Sequence, residues 1–211
     1  LASIDDYFLK KVEPTSSNYG ITGILQLPNA RFMDEAMLRF TFSSSFPNEF
    51  TSITASPFPW FEATYRYVEV KNRKYGPSSF SGNQSWKDKG FDTKFRILKE
   101  GLYMPAIAIG FRDLAGTGAF SSEYLVASKA YKDFDITLGL GWGLLGKEGN
   151  IKEPLNFLGE NFNVRTDDQI KGGEFSTNTW FSGDASLLAG IEYELKRYGL
   201  RFKLEYDPTQ P

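Results

Sequence analysis

The chain contains no cysteine and no histidine. Their absence removes thiol nucleophiles, disulfides, Cys/His zinc sites, the Ser-His-Asp triad and any imidazole acid-base group. Long uncharged apolar runs are missing too, and the mean hydropathy is below zero. No segment therefore reads as a transmembrane helix, but transmembrane strands need only about ten residues with alternate positions apolar. A basic footprint is also lacking: 24 Lys and Arg stand against 26 Asp and Glu, interspersed, for a net charge of −2. Nucleic acid is not an expected partner, and no cofactor or metal is expected. The opening residues, LASIDDYFLKKVEP, have neither the basic nor the apolar region of a signal peptide. The expectation is a removed leader or an internal piece of a longer chain.

What is present is a chain of 211 residues, 41% hydrophobic and 16% aromatic, enough for one folded domain. Its strongest feature is a series of about nine short runs of alternating polar and apolar residues. In Trp60–Val70, Phe61, Ala63, Tyr65 and Tyr67 alternate with Glu62, Thr64, Arg66 and Val68, so charge takes one face and apolar bulk the other. Strands are expected near 20–27, 36–45, 60–70, 91–99, 105–112, 122–131, 134–143, 184–195 and 199–206. The connections at 100–104, 132–133 and 196–198 are short, whereas 71–90, 113–121 and 144–183 are long. Segment 45–59 is the exception, moderately long on the supposed inner side. Outer-membrane barrels have short periplasmic turns and longer external loops, and a soluble β-sandwich has no such rule.

The fold class expected is therefore all-β, an antiparallel transmembrane β-barrel in the bacterial outer membrane. Residues 1–18 read as an N-terminal extension or linker, 19–207 as the barrel segment with external loops near 71–90 and 144–183, and 208–211 as a tail. About nine strands leave two open edges, which in lipid must be paired by further strands of the same longer chain or of a second chain. The segment is thus expected to be part of a larger barrel. Outer-membrane lipid is the expected partner of the apolar face.

The charged positions Glu62, Arg66, Asp92, Lys94, Arg96, Arg112, Glu123, Lys129 and Asp135 are the lumen-lining candidates. Leu200, Phe202, Leu204 and Tyr206 oppose Arg201, Lys203 and Glu205 in the same way. Gly139, Gly141 and Gly143 on one face predict a bend or close packing against something inside, and the 144–183 loop is a candidate plug or gate.

Other motifs have plainer readings. Gly110–Gly118 (GFRDLAGTG) lacks the Lys-Ser/Thr ending of a phosphate loop and reads as a strand end with a glycine-rich turn. Arg112-Asp113 and Glu123 are expected to pair across it through charge-assisted bonds. Glu62, Asp92, Glu123 and Asp135 could supply a glycosidase's two carboxylates. Mixed-charge cross-strand pairing accounts for them more simply, and no catalytic residue is assigned. Trp60 and Trp142, near strand ends, suit an interfacial girdle. Trp86 and Trp180, in the supposed external loops, are the sugar-stacking candidates.

Several strings resemble the YjbH (GfcD-type) family of outer-membrane proteins linked to exopolysaccharide and capsule production. They are Gly20–Arg31, Pro57–Tyr67, Asn83–Asp92, Pro105–Asp113 leading into Gly116–Gly118 and Glu123–Lys129, and Phe134–Gly143. The resemblance covers about 20–145 in order, and members of the family are considerably longer than this chain. It implies an outer-membrane barrel serving assembly or export of a surface polysaccharide, with that polymer and periplasmic biosynthesis or export proteins as partners. It implies no established catalytic residues. The reading is a non-enzymatic conduit or scaffold. The alternatives are a secreted β-sandwich that binds or cleaves carbohydrate, and a general porin.

Overall fold

A computed structural model describes residues 12–114, 116–165 and 177–209. The alternating runs form nine strands: β1 (Met37–Ser45), β2 (Asn48–Phe58), β3 (Phe61–Lys74), β4 (Ser85–Leu98), β5 (Ala106–Leu114), β6 (Ser122–Tyr131), β7 (Phe134–Gly141), β8 (Ser186–Leu195) and β9 (Leu200–Tyr206). They make one sheet in chain order, every neighbour antiparallel. The sheet forms a half-barrel with β1 and β9 as its open edges. All nine described strands share this sheet, so the two packed sheets of a β-sandwich are not the architecture.

Two departures from the expected strands cancel in the count. Residues 20–27 are not a strand of the sheet. They make only isolated bridges, Ser16 with Thr22 and Gly23 with Pro28, and lie across one face of the sheet, hereafter the inner face. A strand in a two-faced sheet leaves one row of side chains outside, whereas Ile21, Thr22, Gly23, Ile24 and Leu27 are all buried. The second departure is β2, which the proline-flanked, hydroxyl-rich 45–59 stretch concealed. Its inner positions Ser52, Thr54 and Ser56 are small because segment 15–33 passes close above them. A Cβ at Gly20 (φ 94°) would fall 1.9 Å from Ser52 Oγ.

With β2 in place the exception at 45–59 disappears. The connections 46–47, 75–84, 115–121 and 142–185 lie at one end of the sheet, and 59–60, 99–105, 132–133 and 196–199 at the other. The two longest connections, 75–84 and 142–185, thus share an end. The expected 71–90 loop shrinks to 75–84, because β3 runs to Lys74 and β4 starts at Ser85. No long helix follows Gly110–Gly118; β6 begins at Ser122.

Alternation is regular along the strands. In β3, Glu62, Thr64, Arg66 and Val68 are buried on the inner face while Tyr65 is exposed on the outer one. The outer rows of the edge strands carry Leu38, Phe40 and Phe42 on β1 and Leu200, Phe202, Leu204 and Tyr206 on β9, all exposed. The core is the space between the inner face and segment 15–33. One apolar cluster joins Leu27, Ala30 and Phe32 of the segment to Ala106, Ala108, Tyr124, Val126, Leu145 and Leu188. A second joins Tyr19 to Phe50, Val68 and Phe120. Gly190 on β8 is part of this fit, since a Cβ there would lie 2.2 Å from Ile24 Cδ1. Gly141 likewise admits Leu145, whose Cβ lies 2.5 Å from where a glycine Cβ would stand.

Candidate functional site

The inner wall is a polar surface whose side chains bind the backbone of segment 15–33. Buried backbone polar groups must find partners, and a segment outside the sheet ladder has to take them from side chains. Glu62 on β3 accepts from Thr22 Oγ1 at 2.7 Å, from the Met33 amide at 2.7 Å and from the Thr22 amide at 3.4 Å. Lys94, its direct cross-strand neighbour on β4, pairs with it at 3.1 Å. Lys94 also donates to the carbonyls of Thr22 and Arg31, at 3.0 and 2.5 Å. Arg112 on β5 donates to the Gln26 carbonyl at 2.6 Å. Its guanidinium lies 4.0 Å from the Tyr19 ring centroid.

The far side of the segment is held from β9. Glu205 accepts from the amides of Leu25, Gln26 and Leu27 at 3.0, 2.7 and 3.2 Å. Lys203 donates to the Ile24 carbonyl at 2.6 Å and pairs with Glu192 at 3.1 Å. Where the segment leaves the wall, Arg31 bonds Asp135 on β7 at 2.6 and 2.9 Å and also pairs with Glu100. Burial opposes the Arg31 charge, but these two carboxylates outweigh it and tighten its hold on the proton.

Three of the remaining wall charges hold one another. Arg66 pairs with Asp92 at 3.3 Å and Asp113 at 3.7 Å, all three side chains fully buried. Asp92 also accepts from the Asp113 amide at 2.9 Å. Removing one member of such a pair leaves an uncompensated buried charge, at about 3–5 kcal/mol. The arrangement is a desolvated seam, not a wall facing open water.

Of the nine lumen-lining candidates, Glu62, Arg66, Asp92, Lys94, Arg96, Arg112 and Asp135 lie on the inner face, where they meet the segment or each other. Glu123 and Lys129 do not. Both have outer parity on β6; Glu123 stands opposite Phe111 on β5. The loop after β7 covers Glu123, with Arg165 at 2.6 and 3.1 Å and the Phe181 amide at 3.0 Å. Lys129 pairs with Glu100 at 3.0 Å. The expected pairing of Arg112-Asp113 with Glu123 across the loop is not formed: Arg112 goes to the Gln26 carbonyl, Asp113 to Arg66 and Glu123 to Arg165.

The tryptophans divide differently from the expectation. Trp86 is not in a loop but on β4, its ring stacked on Phe120 at 6.3 Å with the Arg73 guanidinium 4.6 Å from its centroid. Trp180 lies 4.6 Å from Phe111. Trp142 is buried beneath Phe181 and so is not a girdle residue. Trp60 is half exposed and stacks on Phe58 and Phe95 at the short-turn end.

The principal residues that sequence reasoning left out are Arg31, Lys203 and Glu205. Lys203 and Glu205 already stood on the charged row of the last strand. Arg31 carried no signal until segment 20–31 was placed inside the sheet.

A family model described as "Exopolysaccharide biosynthesis protein YbjH" matches residues 15–210. A relative from Escherichia coli (strain K12), described as "Uncharacterized lipoprotein YjbH", is 42% identical over 197 residues, covering 93% of this chain. The chain spans 28% of that relative's length. No solved structure matches.

Proposed function

This chain belongs to the YjbH family of exopolysaccharide biosynthesis proteins, and from that premise we propose that it is a plugged section of an outer-membrane β-barrel. It serves assembly or export of a surface polysaccharide as a non-catalytic scaffold. The observation that carries the reading is the inversion of the sheet: charge is sequestered on the inner face, while Phe40, Ile136, Leu138, Phe202 and Leu204 stand exposed on the outer one. Lipid satisfies such a face and water does not. The aromatic group of Phe58, Trp60, Phe61 and Phe95 at the short-turn end suits one membrane interface, with the long connections outside.

Segment 15–33 favours scaffold over conduit for these nine strands, since it occupies the surface along which a polymer or a porin's water would pass. The edges β1 and β9 are completed by strands from the rest of a longer chain, a reading supported by the 28% coverage of the relative. An unpaired edge in hydrocarbon costs several kcal/mol per backbone group. The relative's description as a lipoprotein supports an envelope location. The carboxylates Glu62, Asp92, Glu123 and Asp135 are each committed to a cation, which supports the non-catalytic reading.

The test is fractionation of the full-length protein with gel migration before and after boiling. Recovery in the outer membrane with heat-dependent migration, and loss of secreted polymer on deletion, is the expected result. A detergent-independent, heat-indifferent soluble protein would overturn the barrel; normal polymer in the deletion strain would overturn the role.

A further inference from the structure

At the short-turn end, where segment 15–33 leaves the inner face, there is a cavity of about 230 Å³ lined by Arg31, Phe32, Arg96, Lys99 and Glu100 with Ala30 and Ala106. Its charge is unbalanced. Glu100 is already taken by Arg31 and Lys129. Arg96 is half-buried with its guanidinium 4.4 Å from the Phe32 ring centroid; among the described residues neither it nor Lys99 makes a direct ion pair with a carboxylate, and Glu62, committed to Lys94, acts on Arg96 only from beyond contact. Every comparable inner-face cation is committed. Arg66, Lys94, Arg201 and Lys203 have carboxylates, and Arg39 and Arg112 donate to carbonyls of the segment.

We propose that this cavity binds the carboxylate of an acidic sugar unit, a uronate, at the periplasm-facing end of the barrel. The assignment rests on the polysaccharide role proposed above. A partly desolvated, unpaired guanidinium is unfavourable, and an incoming anion relieves it. Phe32 packs against the guanidinium and takes none of its N–H donors, which stay available for the bidentate geometry that arginine makes with carboxylate. Glu100 on the same wall disfavours a second negative charge and so selects a monoanion over phosphate. The volume is below the roughly 300–1,000 Å³ of drug-sized sites, which fits one sugar residue rather than a length of polymer.

The experiment titrates the full-length protein in detergent micelles with glucuronate, glucose and inorganic phosphate by ligand-observed NMR. Saturable glucuronate binding is expected, at least tenfold weaker in Arg96→Gln, partly kept in Arg96→Lys, with glucose silent. Heat-dependent migration of each variant checks its fold. If Arg96→Gln does not fold, the exposed Lys99→Gln carries the test, with about threefold weakening expected. Unchanged glucuronate affinity in the folded variants would overturn the site, and phosphate binding as tightly as glucuronate would overturn its assignment to a sugar. Loss of secreted polymer on deletion without glucuronate binding defeats this site alone. Glucuronate binding with normal polymer on deletion defeats the proposed role instead.

Discussion

The two faces of the sheet are built from the same strands and obey opposite rules. On the inner face, side chains with no exposure at all include Glu62, Arg66, Asp92 and Lys94. On the outer face Leu204 is 71% exposed and Leu38 70%. A water-soluble sheet would place those sets the other way round. The difference teaches that burial here is not driven by apolarity alone. Most of the inner charges are held because they are matched, many of them by the backbone of one segment, and on the proposed reading the outer apolar rows face lipid.

The sharpest way to break the inner rule is Lys94→Met. It strands the Glu62 carboxylate and leaves the carbonyls of Thr22 and Arg31 without their donor. A loss of about 3–5 kcal/mol is expected, read from the urea midpoint of the full-length protein in micelles. Adding Glu62→Gln removes the stranded charge, so the double variant should be less damaged than the two single losses summed. Strict additivity would mean that the pair does not act as a unit.

Breaking the outer rule calls for Leu138→Arg on β7, where the side chain is exposed and touches no part of the segment. In a lipid-facing position near mid-membrane the change costs about 2–4 kcal/mol; on a water-facing surface it should be close to neutral. The urea midpoint in lipid nanodiscs against Leu138→Ala decides between them.

The outer rule was the part most legible in the sequence. Ile136, Leu138 and Leu140, or Leu200, Phe202 and Leu204, announce a face because large apolar groups recur at every second position. β2 was illegible for the converse reason. Its inner row carries Ser52, Thr54 and Ser56, small enough for Gly20 to approach, so its alternation has little contrast and its flanking prolines suggest a loop. Residues 20–27 misled in the other direction, since Ile21, Ile24 and Leu27 are apolar because the sheet they lie upon buries them. Glu123 and Lys129 failed because charge was equated with the inside. Glu123 is buried on the outer side by Arg165 and Phe181, contributed from a distant part of the chain that no local pattern connects to β6.

Within the inner face the grip on the segment is graded from the centre to the edge. Glu205 performs the same task as Glu62, accepting backbone amides, but it sits part-buried on edge strand β9. Glu205→Gln keeps an acceptor and loses its charge, for an expected cost of about 1–2 kcal/mol. Hydrogen exchange should accelerate at the Leu25–Leu27 amides and stay unchanged at Thr22. Uniform acceleration along 15–33 would show that the segment releases as one piece and that the gradient has no energetic meaning.

The smallest effect is expected beyond the sheet, in the connection after β7, where Lys152 pairs with Asp184 at 2.5 Å and the Glu153 amide donates to the same carboxylate. The hydrogen bond from Lys152, with that amide's help, holds the Asp184 carboxyl below the usual carboxylate range against the opposing effect of burial. A group depressed in the folded state stabilises above its unfolded pKa, and that contribution disappears as pH falls through the folded value. Lys152 is largely open to solvent and Asp184 partly so, and screening leaves the pair a local clip and not a determinant of global stability. Protection of the Glu153 amide, corrected for intrinsic exchange, should therefore decline at acid pH while the β7–β8 ladder stays protected. In Asp184→Asn the same amide should be less protected at neutral pH and lose its pH dependence. If β7 and β8 opened together with it, the connection would be coupled to the inner wall and the contrast between rim and seam would fail.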